Sequence, residues 1–257
     1  MGAHAPPVIE KAKRCSIRGS GTLQFKNDIQ LVNGKSVSSL LKSVACRFAK
    51  KSHALFLNMG IYPPIYTEKV LTSVLLPSFS ESASSVVVEF PARRFERRPR
   101  SSARGRGYLD YWVWNRDDAL VVEAKLLWVN LGSGSRLTKY EKQVWEDSKR
   151  QVDSIDTRTL LANTRGDRKP SRSFRVPLVI VAFWATEGER ENDEEKGIVS
   201  MLQNAHKRLL SLDPRPNWMA LWTPPDELQK SNPCGGEEND PRKYVYPAVG
   251  VYSYVHV

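Results

Sequence analysis

Residues 107–128 read GYLDYWVWNRDDALVVEAKLLW, and this stretch decides the fold. The apolar-rich segment Tyr108–Trp114 and the nearly continuous apolar run Ala119–Trp128 predict two strands, the second buried on both faces. Asn115-Arg116-Asp117-Asp118 between them has the composition of a turn. Two charged residues interrupt the second run, Glu123 and Lys125, and the two-residue period of a strand puts both on one face. A two- or four-residue hairpin loop pairs Trp114 with Ala119 and sets Asp110 directly opposite Glu123, with Cβ atoms about 5 Å apart. A loop one residue longer or shorter shifts the register and breaks that alignment.

Ionisable groups inside an apolar strand need a partner or a metal. Two facing carboxylates repel, and a divalent cation between them removes the repulsion. The competing reading is a Glu123–Lys125 ion pair, with Asp110 at an exposed strand end. The acid-x-lysine pattern recurs at Asp147/Lys149, Asp167/Lys169 and Glu194/Lys196. Only Glu123/Lys125 stands in an apolar strand with an acid on the strand before it.

Upstream, Val86-Val87-Val88 reads as a further strand, so three consecutive strands suggest a meander. Between Pro91 and Gly107 lie seven arginines, Arg93, Arg94, Arg97, Arg98, Arg100, Arg104 and Arg106, against one acid, Glu96. Clustered guanidinium groups suit phosphate, which they pair bidentately; a solvated basic loop is the other reading. Thr67 can cap a helix with Val70, Leu71, Val74 and Leu75 as its apolar face, ending at Pro77. Leu41, Val44, Ala45 and Phe48 mark an earlier helix over 38–57. Thr22–Phe25 and Ile29–Val32 are expected to form a small hairpin.

Downstream, Thr138 and Glu141 fit a capping box. The helix they open carries Leu137, Tyr140, Val144, Val152 and Ile155 on one face. Residues 162–175 are polar and basic, which predicts a loop, and Val176–Trp184 a buried strand. That strand returns through a helix and so runs parallel to one of the meander strands. An acidic loop and a helix with Ile198, Leu202, Ala205 and Leu209 follow, then late strands at Trp218–Trp222 and Val249–Val255. The expected organisation is an N-terminal helical or irregular extension, 1–60, and one α/β domain, 61–257, with a mixed sheet flanked by helices.

Gly107-Tyr-Leu-Asp110, a short hairpin, then Val-Val-Glu123-Ala-Lys125 resembles the PD-(D/E)xK, or restriction-endonuclease-like, nuclease superfamily. The order helix, three-strand meander, helix, strand over roughly residues 65–185 is similar to its core. The resemblance implies a metal-dependent nuclease cutting phosphodiester bonds, with DNA the expected substrate, and a Mg²⁺ or Mn²⁺ cofactor. It implies Asp110 and Glu123 as metal ligands and Lys125 as the lysine that positions the attacking water. Members often carry a further acid on the helix before the first strand, which Glu68 matches. A first-turn acid facing the helix dipole is the other reading of that residue. Some place a glutamine on the helix after the lysine strand, where Gln151 is the better match than Gln143. Leu109 stands where the family pattern has proline. Some members keep the fold without cleavage, so a non-catalytic nucleic-acid-binding module is the alternative function. A basic protein-interaction domain is a third.

Arg93, Arg94, Arg97, Arg98, Arg104 and Arg106 are the candidate nucleic-acid contacts. In a regular strand Tyr108, Trp112 and Trp114 share the face of Asp110 and could stack on bases or pack as core. The chain's 257 residues, 40% hydrophobic and 26% charged, suit a folded domain, and its net charge of +11 suits an anionic partner. No run approaches the ~18 apolar residues of a membrane span. Three scattered cysteines, Cys15, Cys46 and Cys234, fit a reducing compartment, cytoplasmic or, in a eukaryotic cell, nuclear. With four histidines at no ligand spacing they also give no zinc site. A homodimer is compatible with the family and is not readable from the residues.

Overall fold

The hairpin expected at residues 115–118 is present, and the molecule is organised around it. A computed structural model describes residues 8–31, 34–94, 105–162, 170–186, 195–229 and 244–257. Strands β4 (Gly105–Asn115) and β5 (Asp118–Asn130) pair antiparallel from Tyr111↔Val122 to Asn115↔Asp118. The loop is two residues, Arg116 and Asp117, so the register is the one that sets Asp110 against Glu123. Arg116 takes a φ of 57°, and its carbonyl accepts from Trp114 Nε1 at 2.8 Å. On the far side of β4, β3 (Ser85–Arg94) completes the meander. β3 is a sheet edge, where Pro91 costs no ladder bond on its open side.

The chain then enters α3 (Lys139–Asp153) through the expected capping box. Thr138 Oγ1 accepts from Glu141 N, and Glu141 Oε2 accepts from Thr138 N. A short helix, α4 (Thr157–Ala162), follows, and β6 (Arg172–Thr186) lies parallel to β5 along its whole length, Asp118↔Arg172 to Asn130↔Trp184. β6 thus starts four residues earlier than its apolar run suggests, because pairing with β5 recruits the polar stretch Arg172–Arg175. The remaining elements are β1 (Lys13–Ser16), β2 (Thr22–Asn27), α1 (Gly34–Met59), α2 (Glu68–Ser80), α5 (Glu195–Leu209), β7 (Trp218–Thr223), α6 (Asp226–Gln229) and β8 (Tyr244–Ser253).

All eight strands form one mixed, mostly antiparallel sheet in the order β1-β2-β7-β8-β6-β5-β4-β3. β2 pairs with β1 along one edge and with β7 along the other; Val32 of the expected hairpin lies outside the described residues. Apolar faces at Leu23 and Phe25 find deeper burial against Trp222 and Ala220 than a local hairpin offers. Residues 8–60 therefore give two strands and a core helix to the same layer as the rest. On one face, α1 and α2 lay Leu41, Val44, Phe48, Leu71, Leu75 and Phe79 on alternate residues of the sheet, among them Leu120, Val122 and Ala124. On the other, Trp145 of α3 and Leu202, Ala205 and Leu209 of α5 cover Leu127, Val129, Val181 and Phe183. Pro77 lies inside α2, which runs on to Ser80. The missing N–H costs one bond, and the buried Phe79 anchors the last turn.

Candidate metal-ion site in a strand fork

Backbone pairing between β4 and β5 stops at Tyr111↔Val122, while β4 stays on β3 to Gly105 and β5 stays on β6 to Asn130. The two strands open into a fork. The N–H groups of β5 past Val122 that face this fork have lost their ladder partners, and two carboxylates accept from them. Asp110 Oδ2 takes Ala124 N at 2.9 Å, and Glu68 Oε1 takes Leu126 N at 3.4 Å. Glu68 arrives from the first turn of α2, where Thr67 is the N-cap. Its other oxygen lies 3.4 Å from Lys125 Nζ. Asp110 also sits at a break on its other side: the β3–β4 register skips from Val88↔Tyr111 to Phe90↔Leu109, because Glu89 turns to a φ of 48°. Strained backbone of this kind concentrates at functional positions.

Glu123 is 1% exposed. Burial and then the Asp110 charge push its carboxyl up to about 8, while Arg94 and Lys125 pull it back. The Arg94 guanidinium binds Glu123 Oε1 at 2.7 Å and Tyr108 O at 2.5 Å with one nitrogen. With the other it binds Gln151 O at 3.3 Å and Ser154 Oγ at 3.2 Å. Its side chain crosses Gly107, where a Cβ would stand 2.5 Å from Arg94 Nε. Tyr111, on the opposite face of β4, has its hydroxyl pushed up to about 12 by burial, with Asp110 and Glu68 adding to the shift.

The structure thus brings Asp110, Glu123, Lys125 and Glu68 to one fork. Gln151 reaches it through its carbonyl. The α3 residue on Glu123 is Ser148, whose Oγ donates to the Glu123 carbonyl at 3.3 Å. The buried face of α3 runs Glu141, Trp145, Ser148, Val152; of the expected stripe Val152 and Ile155 are buried, Leu137 and Val144 pack against the core, and Tyr140 is exposed. Arg94, expected to touch nucleic acid, is instead committed to Glu123. Arg93 and Arg106 pair through their backbones as the β3 and β4 ladder approaches its end. Arg97, Arg98 and Arg104 lie outside the described residues. Of the expected aromatics, Trp112 packs on Phe90 at 4.9 Å and Trp114 is half-buried; Tyr108 is exposed. Ser148 and Glu89 escaped the sequence reading, as did the contact of Arg94 with Glu123. Only the Arg94–Gly107 pair left a trace, as a glycine in a strand where another side chain crosses.

Mg²⁺ is held by one or two protein carboxylates, with water and substrate oxygens completing the shell. Asp110 and Glu123 fit that need: hard oxygen donors, side by side, one kept from ionising partly by the other. Among the described residues no three carboxylate, imidazole or thiol groups gather into a larger ligand set. Glu68 is engaged instead by Lys125 and Leu126 N.

No family model, curated protein or solved structure matches this chain.

Proposed function

We propose that the protein is a metal-dependent nuclease of the PD-(D/E)xK kind that hydrolyses phosphodiester bonds, with DNA as substrate. The observation that carries this reading is the fork, where Asp110, buried Glu123 and Lys125 converge on backbone that β4 has left uncovered. Asp110 and Glu123 would hold Mg²⁺ or Mn²⁺. When bound, the ion supplies charge to a phosphoryl oxygen and makes a coordinated water easier to deprotonate. Lys125, steadied by Glu68, orients the water that attacks phosphorus as the bond to the leaving sugar oxygen breaks. Its ammonium also offsets the negative charge that builds on the phosphoryl oxygens. The Arg94 guanidinium supports this arrangement from behind, fixing Glu123 and the Tyr108 carbonyl together.

The same ion pair favours a second reading. Arg94 already occupies Glu123 without a metal, which suits a module that keeps the fold and binds nucleic acid without cutting it. Incubation with plasmid and with single-stranded DNA in Mg²⁺ or Mn²⁺ separates the two. The nuclease reading expects cleavage that EDTA abolishes and that Asp110→Ala, Glu123→Ala or Lys125→Ala lowers by about a hundredfold or more. Binding with no cleavage in either ion would leave only the second.

A further inference from the structure

Three aromatic side chains are exposed among the described residues: Tyr108 at 66%, Trp128 at 46% and Tyr140 at 52%. Elsewhere among the described residues the rings are half-buried or buried, with Trp145, Trp218, Trp222, Tyr62 and Tyr252 fully buried. All three exposed rings stand around the fork. Tyr108 lies two residues before Asp110 on β4, at the break beside Glu89, and Arg94 holds its carbonyl. Trp128 lies on the stretch of β5 that β4 has left uncovered, about 10 Å along the strand from Lys125. Tyr140 opens α3, near enough to Glu68 for that carboxylate to help raise its hydroxyl.

The charge around Tyr140 is positive. Arg136, Lys139 and Lys142 are exposed beside it, while the acid between them, Glu141, is buried in an ion pair with Arg208. Cations for phosphates thus stand beside Tyr140, and rings for bases stand at three points around the fork. A base in a duplex is already stacked on both neighbours, so free rings find partners where the strand is unpaired.

We propose that the fork accepts single-stranded nucleic acid, its bases stacked on Tyr108, Trp128 and Tyr140. The stacking stands on its own observations; that the phosphate between those bases is the one cut rests on the nuclease reading. The test is fluorescence anisotropy of a short labelled oligonucleotide as single-stranded DNA, the matching RNA and the DNA duplex. EDTA keeps the strands intact. The expected result is preference for the single strands over the duplex by about tenfold or more. Each of Tyr108→Ala, Trp128→Ala and Tyr140→Ala, with an unfolding midpoint like the wild type, should weaken single-strand binding by about 5- to 100-fold. The salt slope should stay unchanged, because no phosphate contact is removed. Tyr108→Phe and Tyr140→Phe, which keep the ring, should bind as the wild type. Equal affinity for duplex and single strand, or alanine variants that bind normally, would overturn the inference. Ring-dependent single-strand binding without cleavage in Mg²⁺ would leave it standing and remove the nuclease. Duplex cleavage with the rings dispensable would do the reverse.

Discussion

Glu123 is the residue on which the proposed chemistry turns. Its folded carboxyl keeps its proton up to about 8, against an ordinary value of 4.5. Between those values the folded chain binds a proton the unfolded chain has lost, so this group's contribution to stability is complete below 4.5. It disappears as the pH rises through about 8. Glu123→Gln, which mimics the protonated acid, should therefore flatten the fall in unfolding temperature between pH 5 and 8 in metal-free buffer. A fall as steep as that of the wild type would mean that Glu123 is not the titrating group. Gly107→Ala belongs to the same scale. Its Cβ would displace Arg94, so the Glu123 carboxyl should move higher still and the pH dependence steepen.

Among the elements, α3 carries the most structure per residue. Glu141 closes the capping box and also meets Arg208 at 2.9 Å, both side chains almost fully buried. Arg208 donates in addition to Asn130 O at 3.3 Å. Removing one partner leaves the other charge buried and alone, so Arg208→Met should cost about 3–5 kcal/mol in urea unfolding. Thr138→Ala, which removes only one cap bond, should cost about 1 kcal/mol. Equal effects would show that the ion pair, not the cap, is idle. The capping box, the meander and its register were legible in the sequence, because each depends on residues a few positions apart. The partners of Arg208 and Arg94 were not, since they are joined by packing between distant elements. Most of the α3 stripe was legible as well: Val152 and Ile155 are buried and Leu137 and Val144 pack against the core, whereas Tyr140 is exposed and the sheet contacts of Trp145 and Ser148 went unread.

At the scale of the whole molecule, residues 1–60 read as a helical or irregular extension, whereas β1, β2 and α1 are built into the common sheet and core. An edge strand recruited from across the chain leaves no local signal. No helix among the described residues is long and apolar enough to cross a membrane. What the sheet provides for function is a defect, one place where two neighbouring strands part and carboxylates take over as acceptors. The proposed function has Asp110 and Glu123 together grip a hard cation there. Its decisive test is calorimetric titration of the metal-free protein with Mn²⁺ near pH 7, in buffers of different ionisation enthalpy. One ion per chain should bind, with release of a proton as Glu123 ionises, and binding should be lost in Asp110→Asn. Absence of binding, or binding that Asp110→Asn leaves intact and that releases no proton, would contradict it.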